Sequence, residues 1–415
     1  MISRFQKIYH EFPRKFWLVV LVGFVDRVGG TLLFPFLSLY ITGHFNVGMT
    51  QAGLVLGIFS ISSLAGNVVG GALADHFGRR KLILFGLVFS ALSTLSLGLV
   101  NQFSVLVLLA VVIGLLSDVA GPAHQAMIAD ILPEHKRQEG FGILRVVANL
   151  AWIIGPTIGG FIADRNFFLL FVIDVVISLI VAVMFYFLIA ETKPEPKAGE
   201  PRESMLATFK GYGAVLRDGA YMAFLLAGIL MGLVYQQMYN SLSVYLRDVH
   251  GIQPQGYGFL MTASAITVIL FQFWVTRKIK SKAPFLLMAF GTLFYMLGFS
   301  MFGFVTAYWL FVSAVVIITM GEMIIMPSMQ ALAANFAPAE MRGRYMAVFS
   351  LMWTLPATIG PGAAGVILDN YNPNLLWYVG GGLCAVSALG FYFLHLRLGS
   401  QARFAPTVVE AGADD

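Results

Sequence analysis

Charge and cysteine are both scarce in this sequence, and polar stretches are few and short. Asp, Glu, Lys and Arg make up 11% of the 415 residues, against about 25% in ordinary soluble domains, which excludes a soluble globular chain. The one cysteine, Cys384, sits in an apolar run, so an intrachain disulfide is excluded and the redox compartment stays open. No Cys/His cluster has the spacing of a metal site, and no nucleophile and base are paired in the apolar runs. Neither a metal, a cofactor nor an enzyme activity is therefore expected. The short alternating strands of a transmembrane barrel are missing as well.

What is present is apolar: 58% of residues are hydrophobic and the mean hydropathy is +0.81. These residues gather into runs of about the 20 residues that a helix needs to cross the hydrocarbon of a bilayer. The first run, Phe16 to Ile41, follows Arg4, Lys7, Arg14 and Lys15 and has no small-residue cleavage site behind it, so it reads as a retained span rather than a signal peptide. Later spans are expected near 51–73, 82–100, 105–131, 141–163, 167–190, 220–246, 256–276, 284–304, 308–336, 346–368 and 375–396. With both termini cytoplasmic, these twelve spans place 22 of the 26 Lys and Arg on the cytoplasmic side and only Arg165 and Arg247 outside. That asymmetry orients the chain in a plasma membrane. It also accounts for the net charge of +5, so a nucleic-acid partner is not expected.

The longest polar stretch, Glu191 to Glu203, carries Pro194, Pro196 and Pro201 and divides the spans six and six. The expected organisation is a six-helix bundle over 1–190, a cytoplasmic linker over 191–219, a second bundle over 220–400 and a tail over 401–415. Within the linker, Met205, Phe209, Tyr212 and Leu216 recur at helical spacing beside Lys210 and Arg217. This pattern suits either a helix on the membrane surface or a loop helix packed on the bundle.

A shift of 205 residues superimposes one half on the other without a gap over its best region. Pro122, Gln125, Pro133, Arg137, Gly155, Pro156 and Asp164 fall on Pro327, Gln330, Pro338, Arg342, Gly360, Pro361 and Asp369, and Leu37, Ser38 and Tyr40 fall on Leu242, Ser243 and Tyr245. Chance apolar similarity would not keep prolines, arginines and aspartates in step. Parallel repeats about an axis along the membrane normal are one way to build an alternating-access transporter.

The stretch Gly71-Ala-Leu-Ala-Asp75-His-Phe-Gly78-Arg79-Arg80-Lys81, between spans two and three, resembles the signature loop of the major facilitator superfamily. The resemblance implies an all-α membrane fold of twelve helices in two pseudo-twofold-related bundles. It also implies a gate network of Asp75, Arg79, Arg80 and Asp130 that acts on the transport cycle rather than on ligand. On physical grounds alone, Gly71 permits close helix approach, Gly78 a tight turn, and the cations hold the loop at the cytoplasmic face. On span five, Ala151-Trp-Ile-Ile-Gly155-Pro156-Thr-Ile-Gly159-Gly160 looks like the antiporter motif of that family, with alanine at its usual first glycine; a plain packing groove explains the same residues. Gly321-Glu322-Met-Ile-Ile-Met-Pro327-Ser-Met-Gln330 resembles span ten of the family's multidrug exporters, whose glutamate takes part in proton and cation binding. The arginine that the family usually carries near the outer part of span four is replaced by Ala110, with Asp118 two turns further on.

Ionisable groups inside spans are expensive in hydrocarbon, by roughly 2.5–3.5 kcal/mol each on the lenient scale. Asp26, Arg27, Asp118, Arg145, Asp174 and Glu322 are therefore the candidate proton-coupling and substrate residues, against the alternative that they are buried pairs fixing helix packing. Four acids against two bases cannot all pair. His124 is read as a packed polar residue. Gln236, Gln237, Asn240, Asn149, Gln272 and Trp353 are candidate cavity residues, and Tyr235 and Tyr239 stand beside them. The favoured reading is a monomeric antiporter of a bacterial-type inner membrane that exports lipophilic, cationic small molecules, with protons as coupling ion. Uptake or exchange of a nutrient and a non-transporting receptor are the alternatives.

Overall fold

The computed structural model describes residues 9–133, 136–192, 213, 215–279, 282–338, 341–401 and 404. The side chains of Asp75 and Arg145, and the burial of Gly71, lie outside what is described, as does nearly all of the candidate surface helix of the linker. Among the described residues, twelve helices are long and apolar enough to span a bilayer: Arg14–His44, Met49–Gly70, Arg79–Leu99, Phe103–Ile131, Glu139–Arg165 and Phe167–Leu188, then Gly219–Asn240, Pro254–Ile279, Pro284–Phe302, Tyr308–Phe336, Arg344–Asn370 and Leu375–Leu398. They are numbered span one to span twelve in that order. No strand occurs among the described residues. Large apolar side chains such as Phe187 and Phe273, each 77% exposed, belong to the lipid-facing surface.

The helices carry the 205-residue repeat in their boundaries. The helices that open the first five spans begin at Arg14, Met49, Arg79, Phe103 and Arg137, and those that open spans seven to eleven begin at Gly219, Pro254, Pro284, Tyr308 and Arg342. Each pair differs by 205. Only the last pair drifts, Phe167 against Leu375. Two compact units follow, Met1–Gly199 with Gly251–Thr262, and Glu200–His250 with Ala263–Asp415.

In the first unit, span one packs on spans five and six, and span two on span four. Glycine makes the second contact possible: a Cβ at Gly66 would collide with the Leu115 carbonyl, and one at Gly70 with that of Val119. In the second unit the close seam lies elsewhere. Span nine packs along span ten, where a Cβ on Gly321 would lie 2.6 Å from the Gly291 carbonyl oxygen.

Spans one and seven both bend at equivalent places. In span one the helix Arg14–Leu33 yields to a single 3-10 turn, Phe34–Phe36, before Leu37–His44 resumes. Pro35 lacks the N–H that would continue the ladder. In span seven the pieces are Gly219–Tyr235 and Gln237–Asn240, and the helix Leu242–His250 follows directly. Here side chains stitch the bend: Gln237 Nε2 donates to the Leu233 carbonyl (2.7 Å), Ser241 Oγ donates to Gln237 Oε1 (2.6 Å), and Asn240 Nδ2 donates to the Gln236 carbonyl (3.1 Å).

Candidate functional site

Glu322, half-buried on span ten, is the one Asp, Glu, Lys, Arg or His in the second unit's spans that is not near a span end, among the described residues. Its carboxylate is surrounded by tyrosines. Tyr235 Oη donates to Glu322 Oε1 at 2.9 Å and lies 3.1 Å from Tyr239 Oη. The Tyr235 ring stacks on Tyr295 at 5.7 Å and meets Trp353 edge-on at 5.9 Å. Tyr295 is fully buried, yet its hydroxyl has no partner among the described residues. Gly321 lets the Tyr295 ring approach: a Cβ there would lie 3.0 Å from its Cδ1. A carboxylate among aromatic faces and hydroxyls can hold a proton, an inorganic cation or an organic ammonium, which ring quadrupoles also attract.

The expected polar cavity residues are placed differently. Gln237 and Asn240 are 5% exposed, and their amides are engaged within span seven as described above. Gln236 is half-buried and Asn149 exposed. Gln272 turns to Thr276 Oγ1 at 2.8 Å.

In the first unit the acids lie on three spans. Asp174 is 5% exposed and accepts from Thr94 Oγ1 at 2.8 Å. A Cβ on Gly29 of span one would lie 2.7 Å from Asp174 Oδ1, so that glycine admits the carboxylate. Asp26, half-buried, is within electrostatic reach of both Asp174 and Arg27. Asp118 sits where span four breaks, between the helices Phe103–Ser117 and Gly121–Ile131. Asn67 Nδ2 donates to its Oδ2 at 3.0 Å, and Ser63 is a second hydrogen-bond partner. Discontinuous helices mark ion and substrate sites in many transporters. His124 is half-buried, 6.2 Å from the Phe185 ring centroid.

The loop between spans two and three carries a second network. Arg79 Nε lies 3.2 Å from Asp130 Oδ2, which also accepts from Thr192 Oγ1 at 3.3 Å. Glu191 closes the network from a position that reads, in the sequence, as the first residue of a linker. Its Oε1 accepts the Arg79 backbone N–H at 3.0 Å and its Oε2 that of Arg80 at 3.1 Å, so it caps the start of span three. Arg80 donates to the Tyr186 carbonyl and stacks over the Tyr186 ring at 4.9 Å. Gly78 has φ +94, and a Cβ there would lie 2.6 Å from Glu191 Oε2.

On span five, Gly155 packs against Thr31 and Gly159 against Leu32, both of span one, and Thr31 Oγ1 donates to the Ala151 carbonyl at 3.0 Å. Pro156 lies inside this helix. Gly160 meets the Gly258 backbone, and Thr157 hydrogen-bonds Thr262 at 2.8 Å. These small residues set helix contacts within the first unit.

Twelve helices in a 205-residue repeat, with charges held in mid-span, define a multi-pass membrane transporter rather than an enzyme. Residues 19–361 match the Major Facilitator Superfamily, and the chain belongs to that family. It is 29% identical to the Na(+), Li(+), K(+)/H(+) antiporter of Planococcus maritimus, over 80% of this chain and 84% of the relative. It is 25% identical to the quinolone resistance protein NorA of Staphylococcus aureus, over 83% and 88%. A crystal structure of a POT family transporter in complex with a thioalcohol-conjugated peptide shares the fold, with a TM-score of 0.78, 17% identity and coverage of 94% of this chain and 97% of that one.

Proposed function

We propose that this transporter is a proton-coupled antiporter that exports lipophilic, cationic small molecules across a bacterial inner membrane, as a monomer with both termini cytoplasmic. The observation that carries the reading is the Glu322 carboxylate set among Tyr235, Tyr239, Tyr295 and Trp353. A carboxylate withdrawn from water has to be neutralised, and a proton or a ligand cation serves equally. Competition between them for one charge is then the coupling. The loop network of Arg79, Asp130 and Glu191 acts on the conformational cycle and not on ligand. The antiporter and quinolone-resistance relatives support this direction. The engagement of Gln237 and Asn240 within their own helix weakens the case for a polar nutrient.

A second reading, exchange of alkali cations for protons, is favoured by the Planococcus relative, a Na(+), Li(+), K(+)/H(+) antiporter. Proteoliposomes with imposed pH gradients distinguish the two. A fluorescent lipophilic cation accumulating against its gradient supports drug export. Sodium or potassium movement without dye movement supports alkali exchange. Downhill pH-independent uptake of either contradicts both.

A further inference from the structure

Arg27 lies in mid-span on span one with its side chain exposed, and it has no salt-bridge or side-chain hydrogen-bond partner among the described residues. Its surroundings are open for a definite reason. Gly23, four residues before, and Gly30, three residues after, share its face of the helix. A Cβ added at either would meet nothing within 4 Å. One turn beyond Gly30, Phe34 is 40% exposed and meets Trp152 of span five edge-on at 6.0 Å. Two absent side chains thus leave space on both sides of a guanidinium, with an aromatic pair at one end.

Among the described residues no carboxylate forms a salt bridge with Arg27. Asp26, next in sequence, is within electrostatic reach of both Arg27 and Asp174, but adjacent residues on a helix point apart, so it does not fill the space beside the guanidinium. His124 is within electrostatic reach of Arg27 but offers it no negative charge. An unpaired arginine facing hydrocarbon at this depth would be heavily penalised, so its open face borders water rather than lipid. Mid-span depth also puts it beyond the reach of lipid phosphates.

We propose that Arg27 is an anion-recognition point that receives the carboxylate of zwitterionic amphiphiles, extending the substrate class beyond simple cations. The proposal rests on the reading of the protein as an exporter of lipophilic amines. A planar guanidinium matches a carboxylate with two parallel hydrogen bonds, which an ammonium does not. Gly23 and Gly30 admit the bulk attached to that carboxylate, and Phe34 with Trp152 gives it an apolar edge.

The test uses two dyes that differ only in this group: a rhodamine ethyl ester, which is a plain cation, and the same rhodamine with its carboxylate free. Their Kd values are measured on the purified full-length protein by fluorescence polarisation. Arg27→Gln is expected to weaken the free-carboxylate dye by about tenfold or more while moving the ester by less than about twofold. Arg27→Lys keeps the charge but not the fork and should give an intermediate loss for the carboxylate dye only. Retained ester binding in both variants reports a folded protein. An unchanged Kd for the carboxylate dye, or equal losses for both dyes, overturns the proposal. Wild type that binds the ester but not the carboxylate form overturns it and leaves the exporter reading standing. Wild type that binds neither contradicts both.

Discussion

Replacing Glu191 by glutamine removes one of the two oxygens that hold the start of span three. In the native protein Oε1 accepts from the Arg79 and Thr192 backbone N–H groups, each at 3.0 Å, and Oε2 from Arg80 at 3.1 Å. A glutamine keeps one acceptor and turns an NH2 toward the other donor. The lost charge-assisted hydrogen bond and the lost charge at a helix N-terminus together amount to about 1–2 kcal/mol, toward the lower end because Glu191 is exposed. Opening of the loop should then rise by a factor of about five. Limited trypsin digestion reads this at Arg79, Arg80 and Lys81, under conditions where cleavage follows the open population. Gly78→Ala should act through the same carboxylate. It forces an L side chain into a φ near +94, at about 1–3 kcal/mol, and its Cβ meets Glu191 Oε2. The double variant should therefore cleave more slowly than independent effects would give. Cleavage of Glu191→Gln within about twofold of wild type, or fully additive variants, would refute the capping argument.

Four further outcomes are expected. Arg79→Gln, Asp130→Asn and Asp75→Asn should slow transport in proteoliposomes while equilibrium ligand binding stays within a few fold, and loss of binding with intact turnover would contradict a gating role. Gly66→Val and Gly70→Val should abolish recovery of folded protein, because their Cβ atoms meet backbone carbonyls, whereas Gly30→Ala should be tolerated; equal thermal stability in detergent for all three would refute the seam. Tyr235→Phe removes the donor to Glu322 and should lower stability by about 1–2 kcal/mol. Tyr295→Phe removes a hydroxyl with no partner among the described residues and should leave thermal stability unchanged or higher.

The spans and their repeat were legible because hydrocarbon imposes length and because prolines, arginines and aspartates mark the register. The helix starts at Arg14 and Gly219, or Arg79 and Pro284, keep that register even though the paired residues share no chemistry. The placement of Arg79 beside Asp130 was legible through a motif. Glu191 was not, because an acid opening a proline-rich polar stretch looks like solvent-exposed linker, and only the fold returns it to the start of span three. The break at Asp118 was missed because the apolar run continues across it; Pro122 and the Ser63 and Asn67 pair on span two were the available signals. Gln237 and Asn240 read as cavity residues because a sequence does not say whether an amide faces a ligand or its own bent helix. Tyr295, far in sequence from Tyr235 and Tyr239, joins them only through packing.

The central claim is that Glu322 carries the charge for which a proton and a cationic ligand compete. Dye efflux from proteoliposomes under separate pH and voltage clamps tests it most directly. Exchange of one proton for one monovalent cation moves no net charge, so the pH difference alone, about 1.4 kcal/mol per unit, should drive it. If a second acid, Asp118 or Asp26, also carries a proton, each 100 mV adds about 2.3 kcal/mol, and Asp118→Asn should reduce that voltage dependence. Glu322→Gln should lose pH-driven accumulation of the cationic dye while still moving a neutral analogue. Undiminished pH-driven accumulation of the cation in Glu322→Gln would contradict the mechanism, although the fold and family would stand.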